Sequence, residues 1–171
     1  MKKFVDPFDY AGAICKAMSK GILLTTKHDG KVNTMTIGWG MLGIEWGKPI
    51  FLALVRESRH TMYMLNGNGE FTVNIPVGEI DKKILGYCGT KSGRDEDKIL
   101  AMNLTLEDPD KISVPGIREL PLTLECKVLY RQAQNSNGLP QEIISRYYPG
   151  EVQDHHTAFY AEIVSAYIIE D

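Results

Sequence analysis

The chain has 171 residues, 43% of them hydrophobic and 24% charged, which fits a single globular domain spanning residues 1–171. The formal net charge is −3 and the lysines and arginines form no cluster, so a sequence-independent nucleic-acid interface is not expected. The apolar runs are shorter than the ~20 residues that span a bilayer, and the N-terminus lacks a signal-peptide hydrophobic region, so we expect a cytoplasmic protein without a membrane partner.

The periodicity of the sequence predicts a protein built mainly of strands. Helical patterns cover residues 10–18, 61–65 and 80–89, and a short helix is expected after Asp95 as its N-cap. The predicted strands are residues 22–26, 32–40, 41–45, 51–55, 70–76, 120–130 and 157–169. There is no βαβ alternation and no repeat. The fold class expected from the residues is therefore an antiparallel β-barrel with peripheral helices.

The three cysteines, Cys15, Cys88 and Cys126, are widely spaced and form no CxxC pair. This pattern indicates neither a disulfide framework nor a zinc site. Apolar neighbours predict that Cys15 and Cys126 are small buried side chains. Cys88 lies beside a glycine where the helical pattern 80–89 ends, and a loop is expected to begin there. No base is placed next to it by the sequence, and its role stays open.

The most informative stretch follows the apolar strand 51–55, which we expect to be covered on both faces. Ser58, Arg59, His60 and Thr61 come directly after it and precede a helix, for which Ser58 is a plausible N-cap. Free backbone N–H groups, hydroxyls and a fork-shaped cation at a helix start suit a phosphate. The alternative is a Ser that only caps the helix and an Arg that is only solvated.

The strand 32–40 offers a second kind of surface. Asn33, Thr34 and Thr36 supply polar groups, whereas Met35 and Trp39 supply flat or deformable apolar contacts, which together suit a planar heteroaromatic ring with polar edges. The alternative is simple solvent exposure of polar strand residues.

A cationic loop and a pair of histidines complete the candidate residues. The cationic loop Ser92-Gly93-Arg94 and Lys98 could close over the same phosphate or over the tail of a larger ligand, although a charged helix start is often only a solvated face. His155 and His156 follow Asp154, and a His–Asp pair can transfer protons near neutral pH. A structural hydrogen-bonding role is the alternative. No third ligand stands at a useful spacing, so no metal site is expected.

The order of these segments resembles the flavin reductase-like, FMN-binding split-barrel family, the flavoredoxin-like group. The resemblance covers most of the chain, from about residue 21 to residue 167. Each motif is short, and the ordered set carries the resemblance. The matching segments are residues 33–39, 49–55, 58–61, 70–74, 88–89, 92–98 and 155–159.

This resemblance implies an antiparallel split β-barrel that forms a homodimer with one FMN per subunit. His155 would be the catalytic residue, near the entrance for nicotinamide or substrate. Where many relatives have an aromatic residue, this chain has His60, which affects how the ribityl chain packs. The cofactor-binding residues implied are Asn33, Met35, Thr36, Ile37, Trp39, Ser58, Arg59, His60, Thr61, Asn74, Gly89, Ser92 and Lys98.

The resemblance also implies an oxidoreductase in which NAD(P)H passes hydride to FMN, with electrons going on to free flavin, an acceptor protein or a monooxygenase. No GxGxxG motif leads from a strand into a helix, because the pattern at residues 38–43 joins two predicted strands. This fits a nicotinamide that binds without a Rossmann domain. Two alternatives remain open. The chain could be a flavoredoxin-like electron carrier without nicotinamide turnover, or a barrel that binds no flavin and serves in assembly.

Overall fold

The structure is a computed structural model that describes residues 1–170. A 3-10 turn (Pro7–Tyr10) precedes the first helix. The helices are α1 (Ala11–Met18), α2 (His60–Gly67), α3 (Lys82–Thr90), α4 (Lys98–Ala101) and α5 (Gln141–Tyr147). The strands are β1 (Lys2–Phe4), β2 (Ile22–His28), β3 (Lys31–Ile37), β4 (Gly40–Glu45), β5 (Lys48–Arg56), β6 (Glu70–Ile75), β7 (Leu106–Glu107), β8 (Gly116–Ile117), β9 (Leu122–Ala133) and β10 (His156–Ile169).

One eight-stranded antiparallel sheet forms the barrel. Its strand order is β3-β2-β6-β9-β10-β5-β4, with β1 added along β10, while β7 and β8 form a separate pair. Within the part of the chain that the structure describes, the end strands β3 and β4 are not hydrogen-bonded neighbours, so the barrel is split there. The prediction of a mainly β, antiparallel split barrel with peripheral helices is confirmed.

Apolar side chains from facing strands fill the barrel. Phe51, Phe71 and Phe159 are fully buried there, and each such burial contributes about 1.5–3 kcal/mol relative to exposure. In β5 the inward residues Phe51, Ala53 and Val55 are buried, whereas Leu52 and Leu54 are half-buried. The prediction that both faces of this strand are covered is therefore met completely on one face and partly on the other.

A cluster of buried polar side chains lies on the face of the sheet that points away from the barrel core, because Thr72 and Asn74 alternate along β6 with the core residues Phe71, Val73 and Ile75. Asn74 is fully buried; its amide oxygen accepts a hydrogen bond from Thr25 at 2.9 Å and its amide nitrogen donates to Thr123 at 3.3 Å. Thr25 also bonds Thr34, at 3.0 Å, and Thr72 donates to Asn74 at 3.3 Å. Because a buried polar group without a partner is costly, these mutual bonds fix the register of β2, β3, β6 and β9.

The structure corrects three local predictions. Cys15 is exposed, because α1 buries Ile14 and Met18 four residues apart and Cys15 falls off that stripe. Cys88 lies buried within α3, and not in a loop. The N-cap of α4 is Asp97, whose side chain accepts from the Leu100 N–H, and not Asp95. Cys126 is buried as predicted. Within residues 1–170, no helix has the length and apolar character needed to cross a bilayer.

Candidate functional site

A cleft of about 360 Å³ opens where the buried strand β5 ends. We call it the polar cleft. It is lined by residues from β3, from the β5–α2 turn and from the segment after α3. The residues here that the sequence predicted are Asn33, Met35, Ser58, Arg59, His60, Thr61, Ser92 and Lys98, together with Gly93 and Arg94 of the cationic loop. Arg56, Thr90 and Lys91, which the sequence did not single out, also line it, as does Asp154, which was considered there only as a partner of the adjacent histidines.

A smaller cleft of about 180 Å³ adjoins the polar cleft along β3. We call it the aromatic cleft, because Trp39 and His156 form part of its wall. The two clefts share Met35, Arg56 and Arg59, so they form one trough. The predicted residues Thr36, Ile37 and Trp39 lie in this second part.

The start of α2 differs from the prediction. Its N-cap is Arg59, in an extended conformation and without a side-chain cap. Ser58 instead donates from its main-chain N–H and from its hydroxyl to the carboxylate of Asp154. The first-turn N–H groups of a helix have no intrahelical partner. Since His60 and Thr61 line the polar cleft, the uncapped, electropositive end of α2 lies at this cleft.

Arg56 fastens the end of β5 to the segment before β10. Its guanidinium donates to the carbonyl of Asp154 at 2.7 Å and to that of Tyr147 at 3.1 Å. The N–H of Glu57 donates to the carbonyl of His155 at 3.0 Å. These bonds hold the segment before β10 against the end of β5, and Asp154 of this segment lines the polar cleft.

Arg59 and Gly89 join the β5–α2 turn to α3. The Arg59 guanidinium donates to the Gly89 carbonyl at 3.1 Å. A Cβ on Gly89 would lie 3.2 Å from the Cβ of Thr36, and the Thr36 hydroxyl donates to the Leu85 carbonyl at 2.6 Å. Gly89 therefore lets α3 approach β3 closely and lies beside the trough, which it does not line.

Gly93 brings the loop after α3 directly onto β3. A Cβ at this position would collide with the side chain of Asn33 and would lie 3.2 Å from the His60 ring. The Asn33 amide is itself held, because it donates to the Thr61 hydroxyl at 3.3 Å. Only glycine fits this approach without displacing its neighbours.

Lys98, the first residue of α4, is 3% exposed and lines the polar cleft. The ammonium donates to the carbonyl of Cys88 at 3.2 Å and to that of Lys91 at 3.1 Å. Burial lowers the pKa of Lys98 to about 8, with Cys88 raising it and Arg59 lowering it further. Burial also raises the pKa of the Cys88 thiol, which opposes its use as a nucleophile.

The two histidines before β10 occupy different places. His156 is buried in the wall of the aromatic cleft, with its ring centroid 4.7 Å from that of Trp39 and its Nδ1 2.8 Å from the Tyr148 hydroxyl. Burial, followed by the charge of Arg56, lowers the pKa of His156 to about 4. His155 does not line the trough; its Nε2 lies 2.7 Å from the Ser136 hydroxyl.

Three predicted residues therefore do not line the trough: Gly89, which lies beside it, His155, and Asn74, which belongs to the buried polar cluster. Of the two adjacent histidines, His156 lines the trough, and its backbone lies opposite that of Arg56 where β10 is hydrogen-bonded to β5. The register of β10 against β5 decides which of the two adjacent histidines faces the cleft. This register cannot be predicted from the local sequence pattern. In residues 1–170 no group of three or more metal-ligating side chains comes together.

The charges of the polar cleft are strongly unbalanced. Among the described residues that line it, Asp154 carries a carboxylate, whereas the cations are Arg56, Arg59, Lys91, Arg94 and Lys98. Together with the uncapped start of α2, this donor set suits an anion with several oxygens. The adjoining aromatic cleft suits a flat, mostly apolar group.

The chain is similar to known proteins in sequence and in fold. A protein of Archaeoglobus fulgidus is 33% identical over 99 residues, which are 58% of this chain and 55% of the relative, so the match spans only about half of that relative. A flavoredoxin from Methanosarcina acetivorans has 28% identity and a TM-score of 0.65 over 88% of this chain and 68% of its own. Nitrilotriacetate monooxygenase component B from Bacillus cereus has 16% identity and a TM-score of 0.67 over 98% and 82%.

The family comparison covers nearly the whole chain. Residues 16–171 match the flavin reductase like domain. This range includes β2 to β10 and every residue of the two clefts. The chain belongs to the flavin reductase-like domain family.

Proposed function

We propose that this protein binds FMN, with the phosphate in the polar cleft and the ring system along β3 in the aromatic cleft. The observation that carries this proposal is the continuity of a cationic cleft with an aromatic one through Met35, Arg56 and Arg59. An FMN molecule has the same two ends. Family membership and the flavoredoxin with 28% identity support the same assignment.

The residues of the polar cleft have clear roles in this proposal. Arg59 and the first-turn N–H groups of α2 would hold phosphate oxygens, because a dianion is best met by charge-assisted and dipolar donors. Thr61 and Ser92 would add hydroxyl donors, and Lys98 a buried positive charge. Asp154 keeps Ser58 in place and is not needed as a ligand.

Other residues of the trough would contact the ring. Met35, Ile37 and Trp39 supply apolar surface, and Thr36 is held by its bond to the Leu85 carbonyl. His156 stays neutral at physiological pH and presents an imidazole to this end of the trough. We therefore assign to His156 the role near the nicotinamide or substrate that the resemblance gave to His155.

We propose an oxidoreductase activity in which NAD(P)H reduces the bound flavin and electrons pass on to free flavin or to an acceptor protein such as a monooxygenase. FMN, when bound, supplies the redox chemistry, while the protein binds it, orients it and excludes water. The similarity to a monooxygenase component supports this version. A carrier without nicotinamide turnover is the second candidate, favoured by the similarity to a flavoredoxin.

We also propose a homodimer, as the family resemblance implies. The edge strand β4 and the turn that follows it expose three large apolar side chains, Met41, Ile44 and Trp46. Such a surface on an edge strand is usually covered by a partner. Light scattering of the purified protein tests this: a mass near twice 19.2 kDa supports the dimer, and a mass of one chain rejects it.

Two measurements test the function. The purified protein is titrated with FMN and its visible spectrum recorded; a protein that stays colourless after removal of free FMN rejects both flavin hypotheses. The loaded protein is then mixed anaerobically with NADH or NADPH. Bleaching of the flavin band supports the reductase. A flavin that bleaches with dithionite but with neither nucleotide supports the carrier.

A further inference from the structure

A third cleft, of about 420 Å³, lies on the outer face of the sheet, between the strands and the segment that joins β9 to β10. We call it the neutral cleft. Leu54, Ala158 and Gln132 form its floor, because Ala158 is paired with Leu54 of β5 and with Gln132 of β9. Leu139 and Ile143, from the joining segment and from α5, add to its walls. The cleft is therefore concave, with a floor of strands and walls that rise from it.

The lining of the neutral cleft carries no charge in the part of the chain that the structure describes. The polar cleft, in contrast, is lined by several arginines and lysines. A charged ligand would give up hydration in the neutral cleft without gaining an ion pair, so this lining favours an uncharged ligand.

Amide and aromatic side chains give the neutral cleft its chemical character. A side-chain amide has both N–H donors and a carbonyl acceptor, so it can bond either a carbonyl oxygen or a hydroxyl group. Aromatic rings supply flat apolar contacts. Together they suit a planar ring with oxygen atoms at its edges. The amide residues are Gln132, Gln134, Asn135 and Asn137, and the aromatic residues are Trp39, Tyr148 and Tyr160.

The neutral cleft adjoins the aromatic cleft. Trp39 and Leu54 line both of them. Tyr148 of the neutral cleft and His156 of the aromatic cleft are joined by the hydrogen bond of 2.8 Å, and the ring of Trp39 lies 4.7 Å from that of His156. A ligand in the neutral cleft therefore lies next to the part of the trough that we assign to the flavin ring.

We propose that the neutral cleft binds the electron acceptor of the reductase, and that this acceptor is an uncharged quinone. The inference rests on the proposed function. A quinone has a flat apolar ring and carbonyl oxygens that amide N–H groups can bond, and the amide carbonyls can accept from the hydroxyls of its reduced form.

The reaction balances with the reductant already proposed. Reduction of a quinone to its hydroquinone takes up two electrons and two protons. The hydride of NAD(P)H accounts for both electrons and one proton, which pass by way of the bound flavin, and water supplies the second proton. Free FMN is a poorer ligand for the neutral cleft, because its phosphate would find no cation in this lining.

Binding of two ligands that the flavin cannot reduce tests the site without turnover. Uncharged 2-naphthol should bind the FMN-loaded protein about tenfold more tightly than the anion 2-naphthoate, measured by calorimetry. Ala133→Trp fills the cleft from an exposed position on β9, and should weaken 2-naphthol binding about fivefold or more with FMN affinity changed less than about twofold. Ala13→Trp, at an exposed position of α1 outside the cleft, should alter neither affinity.

A charge placed in the neutral cleft should invert its preference. Gln134→Lys adds a cation to the lining, and should strengthen 2-naphthoate binding about fivefold while leaving 2-naphthol binding within about twofold. Gln141→Lys makes the same change at an exposed position of α5 that does not line the cleft, and should leave the binding of both compounds unchanged.

Reoxidation of the reduced protein tests the acceptor itself. The experiment is done in Cys15→Ser, because the exposed thiol of Cys15 would react with a quinone. After anaerobic bleaching with NADH or NADPH, 2-methyl-1,4-naphthoquinone should restore the flavin band. At limiting quinone, restoration should be about fivefold slower when Ala133→Trp is added.

The possible failures are distinguishable. If FMN does not bind or no nicotinamide bleaches it, the proposed reductase fails and this inference fails with it. If FMN binds and is bleached but 2-naphthol does not bind, as expected when a partner subunit covers this face, the inference alone is overturned. Equal binding of 2-naphthol and 2-naphthoate, or equal reoxidation rates with and without Ala133→Trp, would also overturn it and leave the proposed function intact.

Discussion

Ser58 donates two hydrogen bonds to the carboxylate of Asp154, from its main-chain N–H at 3.0 Å and from its hydroxyl at 2.6 Å. These bonds attach the start of the polar cleft to the segment before β10. The hydroxyl is thus engaged within the protein, and we expect Ser58 to act on the cleft through Asp154.

Replacing Ser58 with Ala tests this. The variant should lose about 1 kcal/mol of unfolding free energy without FMN, because a hydrogen bond to a carboxylate is removed at an exposed site. Its FMN affinity should fall less than that of Arg59→Ala. Ser165→Ala is a matched control, since the Ser165 hydroxyl donates to Asp110 at 2.9 Å away from the cleft. Unchanged stability with a large loss of FMN affinity would instead make the Ser58 hydroxyl a phosphate ligand.

Gly93→Ala should damage the trough through a single methyl group. The added Cβ would collide with Asn33, so we expect a loss of about 1–3 kcal/mol in unfolding free energy and weaker FMN binding. Gly86→Ala in α3 is the control: a Cβ there meets nothing within 4 Å, and the variant should gain up to about 1 kcal/mol. Adding Asn33→Ala should recover part of the stability lost in Gly93→Ala. If the double variant is no more stable than Gly93→Ala, the strain does not come from the contact between residues 93 and 33.

The lowered pKa of His156 predicts that the folded protein loses stability in acid. Its pKa is about 4 in the folded protein, below the usual 6.5, so the unfolded chain binds a proton between these pH values and the folded chain does not. Stability should therefore fall as pH drops from 6.5 to 4, by up to about 3 kcal/mol from this group. Denaturant titrations at several pH values should show a smaller fall for His156→Gln. In Tyr148→Phe the His156 ring stays buried, so this variant should keep most of the dependence of stability on pH. If the stability of His156→Gln falls with pH as steeply as that of the wild-type protein, His156 is not the group responsible for the loss of stability in acid.

The lowered pKa of Lys98 predicts that FMN affinity falls at alkaline pH. Its pKa in the free protein is about 8, and an anion in the cleft favours the charged ammonium. Above pH 7 the phosphate is already a dianion, since its second pKa is about 6, so a change around pH 8 comes from the protein. Affinity should fall as pH rises through 8. In Lys98→Met, affinity should be lower at pH 7 and nearly constant up to pH 9. A wild-type profile without this fall would exclude a role for the Lys98 charge.

Local patterns predicted much of the fold and the site. The alternation in β3 and β9, the apolar run in β5 and the motif at 58–61 all depend on neighbours in sequence. Most of what the local patterns missed depends on partners that are distant in sequence. Ser58 meets Asp154, 96 residues away, and so does not cap α2. The register of β10 against β5 places His156 opposite Arg56 and leaves His155 outside the trough. Cys15 was expected to be buried, but it lies one residue beyond Ile14, which with Met18 forms the buried side of α1.

Arg59 links the β5–α2 turn to α3 and lines both parts of the trough. The most direct measurement is the dissociation constant of FMN for the wild-type protein and for Arg59→Ala, with Arg131→Ala, on β9 away from the trough, as the control. We predict a loss of about 1.5–3 kcal/mol for Arg59→Ala, or about 10- to 150-fold, and no change for Arg131→Ala. Equal FMN affinity in the wild-type protein and Arg59→Ala, or no binding by the wild-type protein, would contradict the proposed site.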